Sequence, residues 1–266
     1  MNGRLAGKNA VITGAAGDID LQASVLFALE GASILMTDPK ADVLAAALAR
    51  VKAAAPQAPG RIEARVVDVT READVADAIN SLDGWGGLDV MFNNAGIMHP
   101  RDGDSEEVPE NIWDLTFNIN VKGVWYGSKH AVKALRKHGK SSGSIINTAS
   151  MVAIVGDAAA QLAYTASKGA VLALTRELAI EGFRFNSLPS PSQDFLGSSQ
   201  ETRQRREIYL PTGRFGEPIE QAYAVVFLAS DESSFVIGHD MVVDGGLTKA
   251  YVIPLGPALA APNNLG

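Results

Sequence analysis

The sequence predicts an α/β fold: a single doubly wound parallel sheet flanked by helices on both faces. Three observations carry that expectation. Short apolar runs alternate with stretches of helical periodicity along the chain, the rhythm of repeated βαβ units. The runs are continuously apolar rather than alternating, as strands covered on both faces are. The residues just after them are glycine, aspartate, asparagine and serine, and parallel sheets bind ligands beyond those carboxyl ends.

The first strand, over 9–13, ends in Gly14-Ala15-Ala16-Gly17, and a helix over 19–30 follows with Leu21, Val25, Leu26 and Leu29 at helical spacing. The second strand, over 33–37, ends at Asp38, and an alanine-rich helix is expected over 43–55. A third strand over 64–67 ends at Asp68, before a helix over 73–82. A fourth over 89–92 runs into Asn93-Asn94-Ala95-Gly96, ahead of one long helix over 113–137. A fifth over 144–147 precedes Ser150, and a helix over 164–180 follows. Strands over 183–188 and 241–243 bracket a helix over 217–230. With no linker or repeat, residues 1–250 form one domain, and 251–266, rich in Pro, Ala, Gly and Asn, form a loosely held tail.

Composition excludes several function classes. The chain has 266 residues, 47% hydrophobic and 20% charged, enough for a sizeable core. A net charge of −7 argues against nucleic acid, because phosphate binding needs clustered Lys and Arg. No cysteine is present, which removes disulfides, thiolate metal sites and cysteine nucleophiles. The histidines, His99, His130, His138 and His239, share no ligand spacing, so no metal is expected; His130 and His138 are read as surface residues of a basic helix. No apolar leader or run of about 18 apolar residues occurs, so neither membrane insertion nor export is expected and the protein is read as cytoplasmic.

The stretch Ala163-Tyr164-Thr165-Ala166-Ser167-Lys168 carries the chemistry. On a helix, Tyr164 and Lys168 share a face. An ammonium beside a phenol favours the phenolate, which makes an acid/base usable near neutral pH. Taken alone, the pair is an ordinary helix start. Ser150 can donate to a substrate oxygen if it faces the same cleft; alone, it is a loop serine. Asn120 lies mid-helix, a poor place for asparagine unless buried for a polar role.

Gly14 and Gly17 suit a turn where bare backbone meets a pyrophosphate at a helix N-terminus. Asp18 and Asp20 do not. A carboxylate about 4 Å from a phosphate costs roughly 4 kcal/mol at an effective dielectric of about 20. Either aspartate can instead cap the helix. Asp38 is placed to hold a ribose diol and to repel a 2′-phosphate, or to cap a helix. Asp68 faces an adenine or closes a turn.

Together, Thr13-Gly14-Ala15-Ala16-Gly17, Asn93-Asn94-Ala95-Gly96, Asn120-Val121-Lys122-Gly123, Ser150, Tyr164 to Lys168 and Val243-Asp244-Gly245-Gly246 resemble the classical short-chain dehydrogenases/reductases over about residues 5–253. The resemblance implies a single Rossmann domain with a seven-stranded parallel sheet. It implies Tyr164 as general acid/base, Lys168 as the residue that lowers its pKa and binds the nicotinamide ribose, Ser150 as the group polarising the substrate oxygen, and Asn120 as holder of a relay water. It places the cofactor against Gly14, Gly17, Asp18 and Ile19, with Asp38 favouring NAD over NADP. Asp68 and Val69 then line the adenine pocket, and Asn94, Ala95 and Gly96 join sheet to cofactor. Homodimers or homotetramers through the two long helices are implied as well.

The chain also departs from that pattern. Asp18 and Asp20 stand where the family has glycines. Asn186 to Asp194 lacks the Pro-Gly and threonine that close over the nicotinamide, and only Glu181-Gly182-Phe183 separate a helix from the next strand. A substrate lid is expected over 191–211, short and mobile. Met98, Met151, Val152 and Leu196 suggest an apolar pocket. The leading expectation is NAD-linked interconversion of a secondary alcohol and a ketone on a small cyclic or hydrophobic substrate. The alternatives are a non-redox isomerase, lyase or cyclase with impaired NAD binding, and a catalytically silent family member.

Overall fold

The structure, a computed structural model, describes residues 3–157, 159–189, 204 and 206–253. Most of the expected lid and tail, with Leu196 and the segment 190–194, lies outside the described residues. The strands are β1 (Asn9–Thr13), β2 (Ser33–Asp38), β3 (Ile62–Val66), β4 (Val90–Asn93), β5 (Ser144–Thr148) and β6 (Arg184–Leu188). They form one parallel sheet in the order β3-β2-β1-β4-β5-β6. The order reverses between β1 and β4, where a doubly wound sheet opens its ligand crevice.

The continuous apolar runs are explained by period-two geometry. Ala10, Ile12, Ile34, Met36, Phe92 and Ile146 pack on one face, against helices α1 (Asp18–Leu29), α2 (Ala41–Ala54) and α7 (Pro218–Ala229). Val11, Leu35, Met91, Ile145 and Phe185 pack on the other, against α3 (Glu72–Asn80) and α5 (Gly123–Lys137). α6 (Leu162–Leu178) borders this second layer beside α4 (Glu110–Phe117). No helix among the described residues is long and apolar enough to cross a membrane.

Four expectations are corrected. Among the described residues the sheet has six strands, because the seventh run makes only a bridge between Ser187 and Asp240. Ser187 N–H donates to the His239 carbonyl at 3.0 Å, and Met241 N–H to the Ser187 carbonyl at 2.9 Å. The next rung needs an N–H from Pro189, which has none. The third strand lies at 62–66 instead of 64–67: an edge strand presenting Glu63 and Arg65, whose charges mask it as an apolar run. The long helix is broken into α4, a π turn over Asn118–Lys122, and α5. His130 and His138 are half-buried and paired, Nε2 to Glu72 Oε1 at 2.9 Å and to Asp83 Oδ1 at 2.7 Å. The short link after α6 is a 3₁₀ turn, Ala179–Glu181, closed by left-handed Gly182.

A polar tier lies under the carboxyl edge. Asn93 Nδ2 donates to Asn147 Oδ1 at 2.9 Å, and Asn147 Nδ2 donates to Thr175 Oγ1 at 3.0 Å. Gly127 on α5 makes room for this tier: a Cβ there would stand 1.9 Å from Asn93 Oδ1. Helix propensity favours alanine by about 1 kcal/mol, but forced overlap in a packed interior costs about 1–3 kcal/mol. Gly127→Ala should therefore be net destabilising by about 1 kcal/mol, checked by urea unfolding at constant m-value.

Candidate active site

Four of the expected site residues meet at the carboxyl ends of β4 and β5. Tyr164 and Lys168 lie one turn apart on α6, 6% and 3% exposed. Lys168 Nζ stands 5.7 Å from the centre of the Tyr164 ring and donates to the Thr148 carbonyl at 2.8 Å. Burial pulls the Lys168 ammonium down to about 8, with the negative charge of Asp20 acting the other way. Ser150, buried, opens the 3₁₀ turn Met151–Ala153, and its Oγ accepts the Val152 amide at 3.4 Å. Met98, Met151, Val152, Val155 and Leu247 form an apolar cluster with Tyr164.

Asn120, fully buried, sits in the π turn. Such turns shift one side chain out of helical register and are frequent at functional sites. Here the carboxamide exchanges two bonds with Ile97, accepting its N–H at 2.8 Å and donating to its carbonyl at 2.9 Å. Nδ2 also donates to Ser167 Oγ at 3.0 Å. Asn120 thereby joins the β4 loop to α6.

The glycine turn divides the two aspartates. Gly14 takes φ +69°, and a Cβ there would stand 2.8 Å from Ala95 Cα, so only glycine lets β1 approach the β4 loop. Asp18 is exposed at the start of α1. Asp20 is buried: Asn94 Nδ2 donates to its Oδ2, and Oδ1 has no partner. Burial pushes the Asp20 carboxyl well above the usual carboxylate range; Asp38 adds to the rise, and its own amide, the Asn94 bond and Lys168 oppose it. The two aspartates thus differ in setting: Asp18 faces solvent at the turn, and Asp20 is buried where desolvation disfavours its charged form. Asn94 Oδ1 accepts Thr148 Oγ1 at 2.5 Å, so Asp20, Asn94, Thr148 and Lys168 form one chain of contacts across the cleft floor.

Beside the turn opens a cavity of about 350 Å³ lined by Gly14, Asp38, Asp68, Val69, Ala95 and Gly96, among others. That volume is in the range of small-molecule sites. Asp38 is half-buried at its rim, with Oδ1 accepting the Lys40 amide at 3.0 Å. Asp68 Oδ1 closes its own turn, accepting Thr70 N–H at 2.9 Å and Oγ1–H at 2.7 Å, and the residue also lines the cavity. Ile19 instead lines a smaller space with Leu210, Thr212 and Val243. α1 has no side-chain cap of its own, which leaves its N-terminus for an anion. The residues present fit a dinucleotide: a cavity with the Asp38 carboxylate at its rim, beside a helix N-terminus that has no side-chain cap.

Two contributors were given no role by sequence reasoning: Thr13, quoted only within a motif, and Asp102. Thr13 Oγ1 accepts the amides of both Asn94 and Ala95 at 3.1 Å, holding the β4 loop against β1. Asp102, half-buried in the loop after β4, holds the first turn of α6. Neither shows a local pattern, because each partner is remote in sequence.

These features agree with the comparisons. A family described as enoyl-(acyl carrier protein) reductase matches residues 14–248. The 3-oxoacyl-(acyl-carrier-protein) reductase of Thermotoga maritima is 35% identical over 254 residues, covering 92% of this chain and 99% of that protein. The cyclopentanol dehydrogenase of Comamonas sp. is 34% identical over 259 residues, covering 92% and 99%. Among solved structures, levodione reductase is similar at a TM-score of 0.85 and 29% identity, covering 92% and 99%. The chain belongs to the short-chain dehydrogenase/reductase family, and it is an oxidoreductase of that nicotinamide-dependent class.

Asp20 gives a stability prediction. Its folded-state pKa is raised above the unfolded value, so the cost of burying its charge is absent below the unfolded pKa and grows as pH rises toward the folded one. Asp20→Asn should match the unmodified protein near pH 4 and exceed it in stability at pH 7. Urea midpoints at the two pH values measure this; a gap that does not widen with pH would count against a buried titrating acid.

Proposed function

We propose that the protein interconverts a secondary alcohol and a ketone with NAD, on a small cyclic or hydrophobic substrate. The observation that carries this reading is the buried Lys168 ammonium beside the Tyr164 ring, next to a cavity rimmed by Asp38. In alcohol oxidation, Tyr164 takes the hydroxyl proton, and the neighbouring ammonium favours the phenolate that can do so. Ser150 accepts the Val152 amide, which leaves its own proton for the substrate oxygen. Asn120 holds Ile97 and Ser167 in place around Tyr164 and Lys168. The dinucleotide, when bound, supplies the hydride acceptor, held by Gly14, Asp38, Asp68, Val69, Ala95 and Gly96.

The apolar wall of Met98, Met151 and Val152 supports a hydrophobic substrate, as does the likeness to a cyclopentanol dehydrogenase. Asp38 supports NAD, since its carboxylate would face a 2′-phosphate. Exposed Leu115 and Trp125 on α4 and α5 offer an apolar face for a homodimer or homotetramer.

The test is oxidation of cyclopentanol and related cyclic alcohols, followed by NADH absorbance, beside fluorescence titration with NADH and NADPH. NADH should bind at least about tenfold more tightly than NADPH, and Asp38→Ser should narrow that gap. Tyr164→Phe should lower kcat by about 100-fold or more with NADH affinity unchanged. Absence of both binding and turnover would overturn the redox reading in favour of a non-redox reaction.

A further inference from the structure

The first turn of any α-helix leaves amide donors with no carbonyl inside the helix to accept them. In α6 that turn carries Tyr164, and Gln161 at its N-cap makes no side-chain capping bond. The donors go instead to a distant loop. Leu162 N–H donates to the Gly103 carbonyl at 2.9 Å, Ala163 N–H to Asp102 Oδ1 at 3.1 Å, and Tyr164 N–H to Asp102 Oδ2 at 2.8 Å. Only at Thr165 does the backbone find an acceptor at the helix's own start, the Gln161 carbonyl at 3.0 Å. Asp102 Oδ1 accepts the Gly103 amide at 3.0 Å as well, so the carboxylate is fixed from its own side. Both oxygens are committed to backbone N–H groups, at the end of the helix where negative charge is favoured.

The same loop is fixed at its other end by Asn120, through both polar groups of Ile97. Between the two anchors lies Met98, which packs in the cluster around Tyr164. The wall beside the phenol is therefore strung between the π turn and the N-terminus of α6.

We propose that Asp102 is a positioning residue for the reaction. It fixes the Tyr164 backbone relative to the substrate wall, and so sets where the phenol meets the substrate oxygen. This rests on Tyr164 being the acid/base, and it adds a residue 62 positions away in the chain. It acts through Tyr164 and touches neither dinucleotide nor substrate. Small displacements at a reacting group are costly: about 1 Å can cost about a hundredfold in rate. The adenosine-side cavity is lined by other residues, so dinucleotide affinity should not respond.

The test compares Asp102→Ala, Asp102→Asn and Glu220→Ala with the unmodified protein. Three readouts are taken: kcat for cyclopentanol with NAD, NADH affinity by fluorescence, and amide hydrogen exchange over the first turn of α6. Asp102→Ala should raise exchange at Ala163 and Tyr164 by about tenfold or more and lower kcat by about tenfold or more, with NADH affinity unchanged. Asp102→Asn keeps one acceptor oxygen and should recover part of both losses. Glu220→Ala removes the capping box of α7 and should lower thermal stability with kcat unchanged. That control separates positioning from general loss of stability.

Unchanged exchange in Asp102→Ala would overturn the anchoring, and raised exchange with unchanged kcat would overturn the positioning role. A kcat loss as large in Glu220→Ala would also overturn it. No cyclopentanol turnover by the unmodified protein would overturn the redox reading for that substrate, and the exchange measurement would still decide the anchoring.

Discussion

The site depends on a cation kept out of water. Lys168 is 3% exposed, and its Nζ has the Thr148 carbonyl as acceptor at 2.8 Å. Burying an ammonium costs several kcal/mol unless it is well paired. Here the compensation is partial, and the lowered pKa of about 8 is its signature. The arrangement holds only if β5 ends where it does, with the last strand carbonyl turned to the cleft. Thr148 contributes twice: its carbonyl takes the lysine, and its hydroxyl donates to Asn94. Asn94 in turn donates to Asp20. One strand end thus links the buried Lys168 ammonium to the acid at the start of α1.

Beneath that floor the asparagines solve a second problem. Asn93 and Asn147 bury carboxamides at the ends of β4 and β5, and buried polar groups need partners. Asn93, Asn147 and Thr175 bond one another there, and Ser128 accepts a further, longer bond from Asn93 at 3.4 Å. A satisfied polar tier is rigid, whereas a partly satisfied one is costly. Its bulk is accommodated by the missing side chain of Gly127. A glycine in a helix interior, unfavourable for the helix alone, is thus explained by the strand it lies against.

Much of this was legible in the sequence because the signals were local. Both-face apolar runs such as Ala10-Val11-Ile12 report a covered parallel strand directly, and Tyr164 and Lys168 share a face at one helical turn. What was not legible depended on partners far along the chain. Pro189 shortens the last strand only because Asp240 lies opposite Ser187. The π turn is needed only because Asn120 must reach Ile97. Asp102 looks like any loop aspartate until the first turn of α6 is seen to lack a cap of its own. The charged edge residue Glu63 hid the start of β3 for the opposite reason: it belongs to solvent, and so interrupts the apolar pattern.

Asp18 and Asp20 show how far composition misleads at a binding turn. They are the same residue, two positions apart, and as formal charges both would repel an anion at the α1 N-terminus. At 3.6 residues per turn, two positions are more than half a revolution, so the two side chains leave the helix on nearly opposite sides. Asp18 stays in water, where screening weakens its field. Asp20 turns inward beneath the glycine turn and meets Asn94. Burial there raises its pKa, with its own amide, the Asn94 bond and Lys168 opposing the rise. The electrostatics of the turn are thus set by helix phase and desolvation. Of the two aspartates in the sequence, one side chain lies in solvent and the other lies buried where desolvation disfavours its charged form.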